Sequence, residues 1–195
     1  RAAGESVLAG LADPSTEVRE RSVEVAVRAG RHFIPPALEL LASTDPNQRR
    51  MAAVVLARIE PRKYASLVLG PSLNGDLQAV YRNLACMQAL AECPGPANAL
   101  LGQALHERNQ ALIRDFFYLL ASVQPAESVA TVERSLRSSQ AEVRANATEA
   151  LEALAGPQTA ALVAPLLDQE RPSGPPLTLA RETWELPAPT PIAAL

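Results

Sequence analysis

Lysine is almost missing from this chain: Lys63 is the single one among 195 residues. Aromatic residues are few as well, with three Phe, three Tyr and one Trp. A nucleic-acid surface needs clustered cations and stacking rings, and the net charge of −3 gives no general attraction to phosphate or anionic lipid. Cys86, Cys93, His32 and His106 are too few and too scattered for a four-ligand metal centre. The two cysteines read as reduced thiols in the helical core of a cytoplasmic protein. No apolar run reaches the roughly 18 residues that would suggest a membrane span. No alternating Val, Ile and Thr segment predicts a strand. Gly-rich phosphate loops, paired nucleophile and base motifs, His-x-x-x-His and Cys-x-x-Cys are all missing, so the sequence predicts no catalytic residue, no metal and no cofactor.

What is present is a period. Arg19, Arg50, Arg82, Arg114 and Arg144 follow one another at steps of 31, 32, 32 and 30 residues. Each lies five or six residues after Asp13, Asp45, Asp76, Asn109 or Ser139. Each opens an apolar helical stretch, and a second stretch follows that in most cases opens on a proline. A repeat of this length predicts stacked helical hairpins, in which no unit is stable alone. Ala and Leu dominate, which favours helix, while the 17 prolines fall mostly at punctuation points.

The expected hairpins span about 13–43, 45–73, 76–107, 109–138 and 139–169, after a partial helix at 5–12. In the first, Val18, Ser22, Val25 and Ala26 form the expected buried stripe. Asp13-Pro14 and Asp45-Pro46 are expected N-caps followed by first-turn prolines. Asn109 is expected to open a new helix at Gln110 after one that ends at Glu107, with His106 capping that helix end. Ile113, Phe116, Phe117 and Leu120 should face inward, leaving Tyr118 nearer the surface. Pro165 predicts a kink or break in the last second helix. Residues 170–195 read as a Pro-rich tail with one short helix, which Trp184 docks on the last repeat. Residue 1 is Arg and helix is already legible at Glu5, so a segment of a longer protein is expected, with exposed apolar surface at its start that can pack on another copy.

The pattern of Asp13-Pro14, Val18-Arg19, Ser22 and Val25, with Ser139, Val143-Arg144, Ala147 and Leu151, resembles HEAT repeats. The resemblance implies an all-α fold, an α-solenoid of about five antiparallel hairpins, over residues 5–169. A narrower stretch, Ile113-Arg114-Asp115-Phe116-Phe117-Tyr118-Leu119-Leu120 with Val143-Arg144-Ala145-Asn146-Ala147, looks like the HEAT region of bacterial membrane proteins related to ATP/ADP translocases. In that family a transporter-like domain precedes the repeats and a cyclic-nucleotide-binding domain often follows. The resemblance implies a cytoplasmic, non-enzymatic scaffold that binds a protein partner or neighbouring domains. No ligand residue can be carried over.

The resemblance further implies that Asp13, Arg19, Asp45, Arg50, Asp76, Arg82, Asn109, Arg114 and Arg144 form a structural ladder of hydrogen bonds and ion pairs between turns. On that reading Arg82→Ala should lower the melting temperature. Arg62, Lys63, Arg108, Tyr118, Arg134 and Arg137 form the expected partner surface. The competing reading is a concave groove with glycosylase-like, lyase-like or nucleic-acid chemistry. Interspersed acids such as Glu60, Glu107, Glu127 and Glu133 weigh against it.

Overall fold

The computed structural model describes residues 2–68, 70, 73–92, 95–168 and 174–184, and among them the chain is all-helical with no strand. It divides into two compact units, Arg1–Ser72 and Leu73–Leu195.

The first unit contains α1 (Ala2–Gly10), α2 (Thr16–Ala29), a 3₁₀ turn at Gly30–Phe33, α3 (Ile34–Leu40), α4 (Pro46–Ile59) and α5 (Pro61–Leu67). Helix α4 is its hub and packs against α2, α3 and α5. Every residue from Met51 to Ala57 is buried, as expected for a helix that is apolar around its whole circumference. Asp45 caps α4 as its sequence predicts: its carboxylate accepts from Asn47 N–H at 2.9 Å, with Pro46 at the first position. The Asp13-Pro14 pair behaves differently. Ser15 is the N-cap of α2, and Pro14 stays outside the helix. The expected stripe on α2 is also rotated. Val23 and Ala26 are buried, whereas Val18 and Val25 are 41% and 50% exposed. A Cβ on Gly10 would overlap Ser22 Oγ, so α1 and α2 approach closely at Ser22.

The second unit contains α6 (Leu73–Ala91), α7 (Pro96–Ala121), α8 (Ala126–Leu136), α9 (Ala141–Ala155), α10 (Pro157–Leu167) and α11 (Gly174–Trp184). The boundary expected at Arg108–Asn109 does not exist. Helix α7 runs 26 residues through it, and Asn109 is buried in its interior. Glu107-Arg108-Asn109-Gln110 holds neither Pro nor Gly, so nothing in the backbone stops the helix. His106 accordingly lies within α7, exposed, and caps no helix end. Pro165 does not end α10 either; it sits in the last turn, where its missing N–H costs a single bond.

Successive helices pack in pairs, α6 on α7, α7 on α8, α8 on α9 and α9 on α10. The chain then returns to its start: α10 and α11 both pack on α6. The Tyr81 hydroxyl donates to the Leu162 carbonyl at 2.7 Å across this closure. Trp184 of α11 packs against Tyr81 of α6, with ring centroids 5.8 Å apart, and α11 also packs on α10. Cys86 is exposed, because it lies on the same solvent stripe of α6 as Arg82, whereas α7, α10 and α11 cover the rest of that helix. Cys93, expected in the core, lies outside the described residues.

Candidate functional site

Three helix starts share one device, and arginine is its centre. At α2 the Arg19 guanidinium donates to the Asp13 carbonyl at 2.8 Å and to the Pro14 carbonyl at 2.9 Å. At α4 the donor is Arg49, which reaches the Ser43 carbonyl at 2.6 Å. At α9 Arg144 reaches the Ser138 carbonyl at 2.8 Å. Each arginine reaches back six residues, and each also makes the first backbone bond of its helix to the N-cap carbonyl. The gripped residue uses its side chain as well. Asp13 Oδ1, Ser43 Oγ and Ser138 Oγ accept from the N–H of Ser15, Asp45 and Gln140. The loop before each helix is thus held twice by one short polar residue. The charge-assisted bond to a carbonyl offsets the cost of holding a cation behind a helix N-terminus.

These rungs differ from the expected ladder in their partners. Arg19 bonds the main chain of Asp13 and not its carboxylate. In the second rung Arg49 takes the place expected for Arg50. Arg82 and Arg114 are exposed on the flanks of α6 and α7, away from any helix start. Asp76 is buried in the first turn of α6, where a carboxylate suits the positive helix end. Asn109 accepts from Asn83 Nδ2 at 2.8 Å. The sequence does carry the missed signal: Asp13/Arg19, Ser43/Arg49 and Ser138/Arg144 all have a short polar acceptor six residues before arginine.

Arg144 alone extends its rung to another element. Its Nε lies 3.6 Å from Asp168 Oδ2, and both side chains are largely buried. The pair borders a cleft of about 350 Å³ with Leu136, Ala141, Thr148 and Ala164. The opposite charges neutralise each other there, so the cleft presents no net charge of its own.

The residues of the expected partner surface are divided between the two units. Arg62 and Lys63 belong to the first unit, and Arg108, Tyr118, Arg134 and Arg137 to the second. Lys63 Nζ sits 4.9 Å above the Tyr64 ring, and Tyr64, with a smaller contribution from Glu60, raises its pKa above the usual lysine value. Arg137 pairs with Glu133 at 3.2 Å. Arg108 and Arg134 are exposed. Phe116 and Phe117 are buried edge to face, as expected. Tyr118 is half-buried and its hydroxyl oxygen is enclosed.

Part of the exposed apolar surface of the first unit is a shallow depression of about 500 Å³ between α1 and α2, lined by Val7, Val18, Ser22 and Val25 and flanked by Glu17 and Arg21. Arg21 is turned to Glu24 at 2.8 Å, which lowers the Glu24 pKa. Among the described residues no group of three or more His, Cys, Asp or Glu is placed to hold a metal ion. No helix among them is long and apolar enough to cross a membrane. No family model, no curated protein and no solved structure matches the chain.

Proposed function

We propose that this chain is a non-enzymatic scaffold of HEAT-type, solenoid-forming hairpins that holds a protein partner or neighbouring domains of the same polypeptide. The observation that carries the reading is the rung. Arg19, Arg49 and Arg144 make the same bond with the same reach at three helix starts. A contact repeated in register is what a stack of equivalent hairpins requires, because each unit is set against the next by the same turn. The return of α10 and α11 to α6 is not part of a nearest-neighbour stack, so the reading rests on the rungs. The uncovered Val18 and Val25 supply an apolar surface of the kind a partner covers.

The narrower proposal is a cytoplasmic region of a larger bacterial protein related to nucleotide-translocase-like transporters. The coding sequence on either side of the chain tests it. A multi-span hydrophobic segment upstream supports the link, and an unrelated start removes it. The scaffold reading is tested separately by photo-crosslinking in cells from Val18 and Val25, with Arg82 as the reference position. Discrete adducts from the two valines alone support it. Equal yields at all three positions, or none, would count against it.

A further inference from the structure

Charge is unevenly divided along the chain. Residues 1–72 carry ten Arg and Lys against eight Asp and Glu, and residues 73–195 carry eight against thirteen. The acidity of the whole chain therefore belongs to the second unit, and the first is mildly basic. Its cations gather at one end. Arg28 lies in the last turn of α2 and Arg58 in the last turn of α4, two helices that pack together. Arg21 bonds Glu24, and Arg28 and Arg58 add to the pull that keeps that carboxylate ionised. Arg31 of the 3₁₀ turn reaches Glu60 at 3.1 Å, and Arg62 and Lys63 stand just beyond Glu60 in the first turn of α5. All five of these cations are exposed. The fold explains only some of them. Arg28 and Arg58 suit helix C-termini, where the dipole favours a cation. Arg62 and Lys63 stand at a helix start, where the dipole opposes one. Arg31, with its side chain 85% exposed, makes a surface pair of the kind that contributes little to stability.

We infer that this basic end of the first unit docks an acidic protein segment, which lays several carboxylates across the ends of α2 and α4 and an aliphatic side chain on Val25. Val25 is 50% exposed and shares a face of α2 with Arg21 and Arg28, at i−4 and i+3. Four of the five cations are arginines, whose planar fork matches carboxylates. They are spread over several elements and none is buried, so nothing encloses a single phosphate. The two aromatic rings of the first unit, Phe33 and Tyr64, are buried, so no nucleic-acid base can stack there. The inference rests on the scaffold reading and deepens it by naming the chemistry of the partner.

The probe is a fluorescein-labelled peptide of Glu-Glu-Leu repeats, read by anisotropy on the full chain. It should bind saturably, and more weakly as salt is added. Arg28→Glu, Arg58→Glu and Arg62→Glu together should weaken binding at least tenfold. Arg82→Glu, Arg114→Glu and Arg134→Glu together make the same charge change on exposed residues of the second unit and should leave it unchanged. The neutral set Arg28→Gln, Arg58→Gln and Arg62→Gln should weaken binding in the same direction, and far-UV circular dichroism checks that each variant keeps its helices. A Glu-Glu-Ser peptide should bind less tightly than the Glu-Glu-Leu one; equal binding would overturn the aliphatic contact at Val25. Absence of saturable binding, or equal losses in the two charge-reversed sets, would overturn the docking surface. Tighter binding of phosphatidylserine vesicles or of a short DNA duplex through the same arginines would overturn it too. Discrete crosslinks from Val18 and Val25 with no peptide binding would remove the acidic partner and leave the scaffold reading standing.

Discussion

Asn83 of α6 donates its side-chain amide to Asn109 of α7 at 2.8 Å, halfway along a helical pair whose other facing positions are mostly apolar. Asn109 is 4% exposed, so water does not replace the bond if it is lost. A single buried polar pair of this kind fixes register, because sliding either helix strands both amides.

Asn109→Ala should therefore cost about 1–3 kcal/mol, the range for leaving a buried partner unsatisfied. For a chain of this size that lowers Tm by roughly 2–4 °C per kcal/mol. Asn83→Ala combined with Asn109→Ala should cost less than the sum of the single changes. A double-mutant cycle by thermal denaturation measures the difference. Strict additivity would mean that the two amides do not act as a pair.

The arginines separate into two classes that thermal denaturation should distinguish. Arg144→Ala removes a charge-assisted bond to the Ser138 carbonyl and an ion pair with Asp168, and should cost about 1.5–3 kcal/mol. Arg82→Ala touches an exposed side chain away from any helix start and should stay within about 0.5 kcal/mol. This reverses what the period alone suggests for Arg82. Equal losses at the two positions would restore the ladder in its periodic form.

The reason the period misleads is physical. A rung needs a helix start, and the chain starts helices only where something stops the preceding one. Asp45-Pro46, Pro61 and Gly156-Pro157 supply such stops, and α4, α5 and α10 start there. Arg108-Asn109 supplies none, and α7 continues. Burial was legible where one stripe meets one neighbour, as with Ile113, Phe116, Phe117 and Leu120. On α2 it was legible only in part: Ala26 is buried as expected, but Val18 and Val25 are exposed and Val23 is buried instead. Nothing in the local pattern announces that α10 comes back to α6, because that contact joins residues 81 apart.

Two glycines should respond to alanine with opposite signs. Gly156 joins α9 to α10 at φ 87° and ψ 155°, a conformation that L-residues rarely adopt. An added Cβ there meets no atom within 4 Å, so the whole cost of Gly156→Ala is backbone strain, about 1–3 kcal/mol. Gly102 lies inside α7, and its Cβ also meets nothing. Gly102→Ala should stabilise by about 0.5–1 kcal/mol through helix propensity. Chemical denaturation of both variants checks the pair of signs.

Alkaline pH should open the closure between α6 and α10. Burial pushes the Tyr81 phenol well above its ordinary value near 10, because an ionised ring oxygen loses hydration inside the unit. The folded state then holds its proton where the unfolded chain releases it. The stabilisation is fully present below about pH 10 and declines as pH rises through that value toward the folded-state pKa, by up to about 1.4 kcal/mol per pH unit. Absorbance at 295 nm should show Tyr81 ionising only together with unfolding. Tyr81→Phe keeps the ring against Trp184 and gives up the bond to the Leu162 carbonyl. That variant should be less stable at pH 8 and should lose the Tyr81 share of the decline between pH 10 and pH 11.5. An unchanged slope in Tyr81→Phe would place the alkaline sensitivity elsewhere in the chain.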